Sequence, residues 1–127
     1  YLNMKRIILD LDNTLTLGDD SIPYDDLKPN VQMVNKLNVY KDKGFEILIY
    51  TSRNMNTYKN SIGKINANTL PNIISWLNKN DIHFDEVYIG KPWCGEEGFY
   101  VDDKAVRPDE FMNLEYDEIR KLTNSGK

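Results

Sequence analysis

The chain has 127 residues, 40% of them apolar and 28% charged, with a formal net charge of −4. That length suits one hydrophobic core of the commonest domain size, and the composition excludes a disordered chain. The acidic balance argues against general nucleic-acid binding, which needs Lys and Arg to displace counterions from phosphates.

Met4 reads as a natural start, with Tyr1–Asn3 an appended remnant. Ile7-Ile8-Leu9 is a short apolar run with β-branched residues, as expected of a strand buried on both faces of a parallel sheet. Thr14–Pro29 is a polar loop broken by Gly18, Pro23 and Pro29. Asn30 has the chemistry of an N-cap. Val31, Val34, Leu37 and Tyr40 or Lys41 follow at helical spacing, and Gly44 closes the helix. Phe45–Tyr50 predicts a second strand. Thr51–Asn68 is polar and aperiodic and reads as a loop. Thr69 caps a further helix with Pro71 in its first turn, and Ile73, Ile74, Trp76 and Leu77 supply its apolar side. Val87-Tyr88-Ile89 predicts a third strand and Phe99-Tyr100-Val101 a fourth. A last helix is expected within Leu114–Thr123.

No apolar run approaches the roughly 20 residues of a membrane span, and the run Ile7–Leu9 is too short for a signal peptide. The single cysteine, Cys94, excludes an intrachain disulfide and suits a reducing compartment. A cytoplasmic protein with no membrane or nucleic-acid partner is expected. His83 is the lone histidine, and it reads with Cys94 as scaffold rather than as a catalytic pair.

Strand, helix, strand, helix, strand predicts one α/β domain over residues 1–127, with a mainly parallel sheet. In such sheets ligands bind outside the carboxyl ends of the strands. Those ends carry Asp10-Leu11-Asp12, then Thr51-Ser52-Arg53, then Lys91, then Asp102-Asp103. Asp10 and Asp12 are two apart, so an extended backbone aims both to one side. Crowded carboxylates repel, and a hard dication such as Mg²⁺ offsets that cost with oxygen ligands. One of Asp102 and Asp103 would add a further carboxylate, since adjacent strand residues point oppositely. Thr51, Ser52 and nearby N–H groups can donate to phosphate oxygens, and Lys91 can neutralise charge on a transferring group. Taken singly, each acid reads as a turn former or cap, and Lys91 as a solvated lysine. Their order over four strand ends favours chemistry.

The run Ile7–Leu15, with Asp10-Leu11-Asp12-Asn13-Thr14 inside it, resembles the first motif of the haloacid dehalogenase superfamily. Ile47–Thr51 is similar to its second motif, Lys91 to its third, and Val101-Asp102-Asp103 to its fourth. Tyr50–Met55, Asn68–Pro71, Gly90–Pro92 and Val101–Ala105 look like a bacterial subgroup of capsule-biosynthesis phosphatases. The resemblance implies a Rossmann-like three-layer domain without a large cap. It implies a Mg²⁺-dependent phosphatase acting on a small phosphorylated metabolite, a sugar phosphate or a phosphorylated amine or alcohol. Asp10 would be the nucleophile and Asp12 the general acid and base. Mg²⁺ would sit between Asp10, the backbone carbonyl of Asp12, and Asp102 or Asp103. The site would be roofed by loops or by another subunit, in a homo-oligomer.

No acid occurs between Glu46 and Asp81, while Arg53, Tyr58, Lys59 and Lys64 do. Arg53, Tyr58 and Lys64 are therefore expected to face the substrate's leaving group. Two rivals belong to other classes: a phospho-accepting receiver module and a catalytically dead binding protein. A receiver carries its acceptor Asp on a middle strand, where this chain offers Thr51 and Lys91.

Overall fold

The computed structural model describes residues 4–124, so the reading of Tyr1–Asn3 as an appended remnant lies outside the described residues. They fall into two compact units that divide between Trp93 and Cys94.

In the first unit Arg6–Leu9 forms strand β1, which is not buried on both faces as expected: it ends the sheet among the described residues and leaves Ile8 exposed. Thr16–Leu17 (β2) pairs antiparallel with Lys28–Pro29 (β3), Thr16 opposite Pro29 and Leu17 opposite Lys28. The expected loop is thus a small hairpin with a 3₁₀ turn at Tyr24–Asp26. Gly18 sits at its bend with φ of 134°, where a Cβ would lie 2.5 Å from Leu27 Cδ2. The backbone angle favours glycine there, and a Cβ would also push the end of the Leu27 side chain aside.

Helix α1 spans Val31–Asp42, and the Asn30 side chain accepts from the Met33 N–H as expected of an N-cap. Its buried stripe is Met33, Leu37 and Tyr40, whereas Val31 is 61% exposed. The stripe is thus rotated from the expected one, because Met33 and not Val31 faces the sheet. Gly44 ends the helix at φ of 93°. The Tyr40 and Phe45 rings then meet edge to face, 5.1 Å between centroids.

Strand β4, Glu46–Tyr50, is the centre of a parallel sheet ordered β1, β4, then Glu86–Tyr88 (β5). Ile47, Leu48 and Ile49 are buried on both faces, which accounts for an apolar run without alternation. Leu9 stands opposite Ile49, and Tyr50 opposite Tyr88. Between β4 and β5 lie α2 (Ile62–Asn68) and α3 (Leu70–Lys79). The end of the expected 51–68 loop is therefore helical. Ser61 caps α2 by accepting from the Lys64 N–H, and buried Ile65 anchors it. Pro71 falls in the first turn of α3, whose buried residues are Ile73, Trp76 and Leu77. Trp76 Nε1 donates to the Leu27 carbonyl at 2.9 Å, which ties the hairpin loop to α3. The third strand begins one residue earlier than the apolar run suggested.

The second unit holds α4 (Pro108–Asn113) and α5 (Tyr116–Asn124). The Arg107 N–H donates to Glu110 Oε1 at 2.8 Å and the Glu115 N–H to Glu118 Oε1 at 2.9 Å, so an acid caps each helix start. The last helix falls where expected, but α4 was not anticipated. The fourth strand is a correction: Phe99–Val101 form no strand, and Phe99 and Val101 are 81% and 87% exposed. Strand propensity needs a neighbouring edge to act on, and the regular elements of this unit are helices. The architecture is α/β, with a three-stranded parallel sheet and a two-stranded antiparallel one.

Candidate active site

The parallel register brings the carboxyl ends of β1, β4 and β5 to one edge of the first unit. Asp10 follows β1 directly. The chain then wraps the Leu11 carbonyl, which accepts from the N–H groups of Thr14, Leu15 and Thr16 at 3.3, 2.9 and 3.1 Å. Asn13 takes φ of 62° in this turn, a conformation Asn tolerates better than most residues. The Leu11 N–H donates to Asp10 Oδ1 at 2.9 Å and fixes that carboxylate. Leu11 and Leu15 are fully buried, so the loop bearing Asp10 and Asp12 is anchored in the core.

Burial pushes the Asp10 carboxyl above its ordinary range, and the charge of Asp12 adds to the effect. Lys91, the Leu11 N–H and Arg53 pull the other way. Asp10 is thus a half-buried carboxylate whose neighbours are the residues singled out from the sequence.

Thr51 follows β4 and extends the ladder: its N–H donates to the Tyr88 carbonyl at 2.9 Å, and the Lys91 N–H donates to the Thr51 carbonyl at 3.1 Å. These two bonds fix the strand end beside Lys91. The Thr51 side chain is buried, and Oγ1 accepts from the Arg53 N–H at 3.0 Å. Its hydroxyl proton is left for another acceptor. Lys91 Nζ lies 6.0 Å from the centre of the Tyr50 ring.

Arg53 is the surprise of the site. Expected to reach a substrate, it is instead 5% exposed. Its Nε and Nη2 donate to the two carboxylate oxygens of Asp12 at 3.1 and 2.6 Å. The Tyr24 ring, from the 3₁₀ turn, lies 4.0 Å from the guanidinium carbon. A planar fork on a carboxylate with an aromatic on its face is an arrangement Arg makes and Lys cannot. Tyr24 was not legible as a site residue, since an aromatic after Pro23 in a polar loop carries no signal of its own. Thr69, expected to cap α3, makes no side-chain capping bond there, because its hydroxyl is turned to Asn54 instead. Thr69 Oγ1 donates to Asn54 Oδ1 at 2.7 Å, and Asn54 sits at φ of 63°.

The remaining expected residues fall around this group or away from it. Ser52 and Tyr58 are half-buried, and Lys64 is exposed on α2. Asp102 and Asp103 are exposed in the second unit, where Asp102 Oδ1 accepts from the Lys104 N–H at 2.8 Å, closing a local turn. Among the described residues no group of three or more His, Cys, Asp or Glu side chains could hold a metal ion. Asp10 and Asp12 therefore stand as a pair. Their chemistry still fits a hard dication, because Asp10 is a carboxylate raised by burial beside a second acid.

Two of the hollows on the first unit bear on this geometry. The larger, about 540 Å³, is lined by Lys41, Asp42, Asp81 and His83 among others. It lies by the start of the strands, where Asp85 takes the Ile47 N–H, and so at the wrong end of the sheet for this chemistry. The smaller, about 170 Å³, is lined by Tyr24, Asn54 and Arg53 among others.

A crystal structure of a structural-genomics target from Vibrio cholerae is 48% identical to this chain, covers 98% of it and 100% of its own length, and superposes with a TM-score of 0.93. The chain belongs to one family with that Vibrio cholerae protein. A chain in the structure of the Pnkp1/Rnl/Hen1 complex is 20% identical, with a TM-score of 0.50 over 87% of this chain and 35% of that one. That likeness is one of fold alone. No family model and no curated protein matches. Among the described residues no helix is long and apolar enough to cross a membrane.

Proposed function

We propose that the chain is a Mg²⁺-dependent phosphatase of the haloacid dehalogenase type, with a Rossmann-like core and Asp10 as nucleophile. The observation that carries the reading is the Asp10 carboxylate itself. It is half-buried at a strand end, fixed by the Leu11 N–H, and flanked by Asp12 and Lys91. The motif resemblance supports the same assignment.

An Asp10 oxygen attacks phosphorus, and the bond from phosphorus to the ester oxygen breaks. The leaving alkoxide takes a proton from Asp12. Asp12 then takes a proton from a water, which attacks the aspartyl-phosphate and releases inorganic phosphate. Lys91 and the Thr51 hydroxyl offset the negative charge of the transferring group. When bound, Mg²⁺ would supply further charge neutralisation there, held by Asp10 and the backbone carbonyl of Asp12. The Asp12 side chain is free of that duty, in keeping with its commitment to Arg53. The resemblance to capsule-biosynthesis phosphatases points to a cytoplasmic enzyme of surface-polysaccharide synthesis.

One observation favours a second reading. Both oxygens of Asp12 accept from Arg53, so the side chain that would serve as the acid is already engaged by a structural partner. A protein that binds phosphate without turnover would look the same. Hydrolysis of p-nitrophenyl phosphate with Mg²⁺ separates the two: multiple turnovers uphold the phosphatase, and binding without product upholds the second reading.

A further inference from the structure

Strand β1 leaves an edge of the parallel sheet open. It pairs with β4 on one side and, among the described residues, ends the sheet on the other. Ile8 stands on it 56% exposed. Such an edge offers a row of backbone donors and acceptors to any extended segment, and proteins seldom leave one bare.

The second unit holds a segment that suits the edge. Phe99-Tyr100-Val101 has the composition of a strand but forms none, and Phe99 and Val101 are almost wholly exposed. Pairing in parallel with Ile7–Leu9 would set Tyr100 beside Ile8 and Val101 beside Leu9. Neighbouring aromatic and β-branched side chains are favourable partners across a strand pair. Asp102 would then fall opposite Asp10.

The connection decides which copy supplies the segment. Only residues 89–98 lie between β5 and Phe99, and none of them is helical. To lie parallel on β1 of its own chain, the segment would need those residues to run back along the sheet and cross both β4 and β1. A parallel crossover takes roughly a dozen residues or more even between neighbouring strands, and usually a helix. Pro92 stiffens this connection. A Cβ at Gly98 would run into the Cys94 carbonyl, so the chain doubles back there and loses reach. An antiparallel return is short enough, but it carries Asp102 to the far end of β1, away from Asp10. Short, stiff hinges of this kind favour exchange of an element between copies.

We propose that two copies of this chain exchange these segments, Phe99–Val101 of each lying parallel on the open β1 edge of the other. One edge and one segment per copy make the exchange reciprocal, so a two-fold dimer closes both edges and covers Ile8, Phe99 and Val101. The second copy's Asp102 then joins Asp10 and Asp12, which stand in the first unit as a pair. The direction of the strand and the role of Asp102 rest on the phosphatase reading. The partner gives the site a strand and an acid rather than a roof.

The test uses full-length chains. In a Cys94→Ser background, Ile8→Cys and Tyr100→Cys copies of different mass are unfolded in urea, mixed, refolded and treated with a short bis-maleimide. A cross-link joining one chain of each kind is expected, with a wild type that is dimeric by sedimentation equilibrium. Val101→Lys places a charge in the new strand and should sediment as a monomer with its circular dichroism kept. Cross-linking only within a chain that carries both cysteines, with a monomeric wild type, would overturn the exchange, since the chain's own segment would then fill the edge. A dimer without the cross-link between Ile8→Cys and Tyr100→Cys, or one that Val101→Lys leaves intact, would overturn it equally. Asp10→Asn and Asp102→Asn copies, each inactive alone, should regain about a quarter of wild-type p-nitrophenyl phosphate turnover when refolded together, because about half of the dimers are mixed and each of those has one intact site. Cross-linked dimers without that recovery would overturn the shared site. A wild type without turnover would overturn the phosphatase reading, and the cross-link would still decide the exchange.

Discussion

Arg53 holds Asp12 by both carboxylate oxygens, at 3.1 and 2.6 Å, while the Tyr24 ring covers the guanidinium at 4.0 Å. The cation comes from the loop after β4 and the acid from the loop after β1, so the pair locks two strand-end loops together. Asp12 keeps partial access to solvent, with 30% of its side chain exposed against 3% for Arg53. The acid can therefore reach a ligand only from the side that Arg53 does not occupy.

Arg53→Ala should destabilise the protein by about 2–4 kcal/mol, since it empties a buried site and strands a carboxylate that can partly rehydrate. Urea unfolding measures this. Arg53→Lys keeps the charge but loses the two-point grip. It should recover part of the stability while turnover of alkyl phosphates stays low. Full recovery of both would mean that charge alone, and not the fork, positions Asp12.

Asp10 should cost the apo protein stability at neutral pH. Its folded pKa is raised above the ordinary 3.8 by burial. Well below that value the group is protonated in both states and contributes nothing. As pH rises through 3.8 and then through the folded value, the unfolded chain ionises first, and folding then confines a charge in a buried site. Asp10→Asn should therefore be more stable than the wild type near neutrality without metal, and the gap should close in acid. Urea midpoints at the two pH values check this, and a gap independent of pH would contradict it.

Trp76→Phe should cost about 1–3 kcal/mol, because it leaves the buried Leu27 carbonyl without its 2.9 Å donor and opens a small gap. The same bond ties the 3₁₀ turn bearing Tyr24 to α3. Hydrogen exchange at Tyr24–Leu27 should accelerate in the mutant more than exchange in β4. Equal acceleration in both would show that the bond supports the whole core rather than this turn.

Much of the fold was legible because local chemistry and burial agree. The unbroken apolar run Ile47–Ile49 could only be a strand covered on both faces, and Asn30 could cap α1 only by its side-chain oxygen. The juxtaposition of Asp10, Thr51 and Lys91 followed from the parallel register, as strand-end arguments predict. What was not legible depended on partners distant in sequence. Phe99–Val101 has the composition of a strand, yet composition says nothing of whether an edge is present. Val31 fits the helical period of α1 as well as Met33 does, and only packing against the sheet chooses between them. Arg53 reads as a substrate contact in the sequence because its burial beside Asp12, a residue 41 positions away, has no trace in the local sequence.

Asp12→Asn should slow turnover of alkyl phosphates far more than that of p-nitrophenyl phosphate, whose leaving group hardly needs a proton. General-acid catalysis is worth roughly 10²–10⁴-fold, so the alkyl substrate should lose about that much. Steady-state rates on the two esters measure the difference. Equal losses would remove Asp12 from the role of acid and leave it a partner for Arg53.

The most direct test of the central claim is the hydrolysis of p-nitrophenyl phosphate by the purified wild type and by Asp10→Asn, each with Mg²⁺ and with EDTA. Mg²⁺ holds octahedral geometry with carboxylate and phosphate oxygens, and an amide at position 10 is both a poor nucleophile and a weaker ligand. Multiple turnovers by the wild type with Mg²⁺, abolished by EDTA and by the substitution, are the predicted result. Turnover that persists in Asp10→Asn, or a wild type that never turns over, would contradict it.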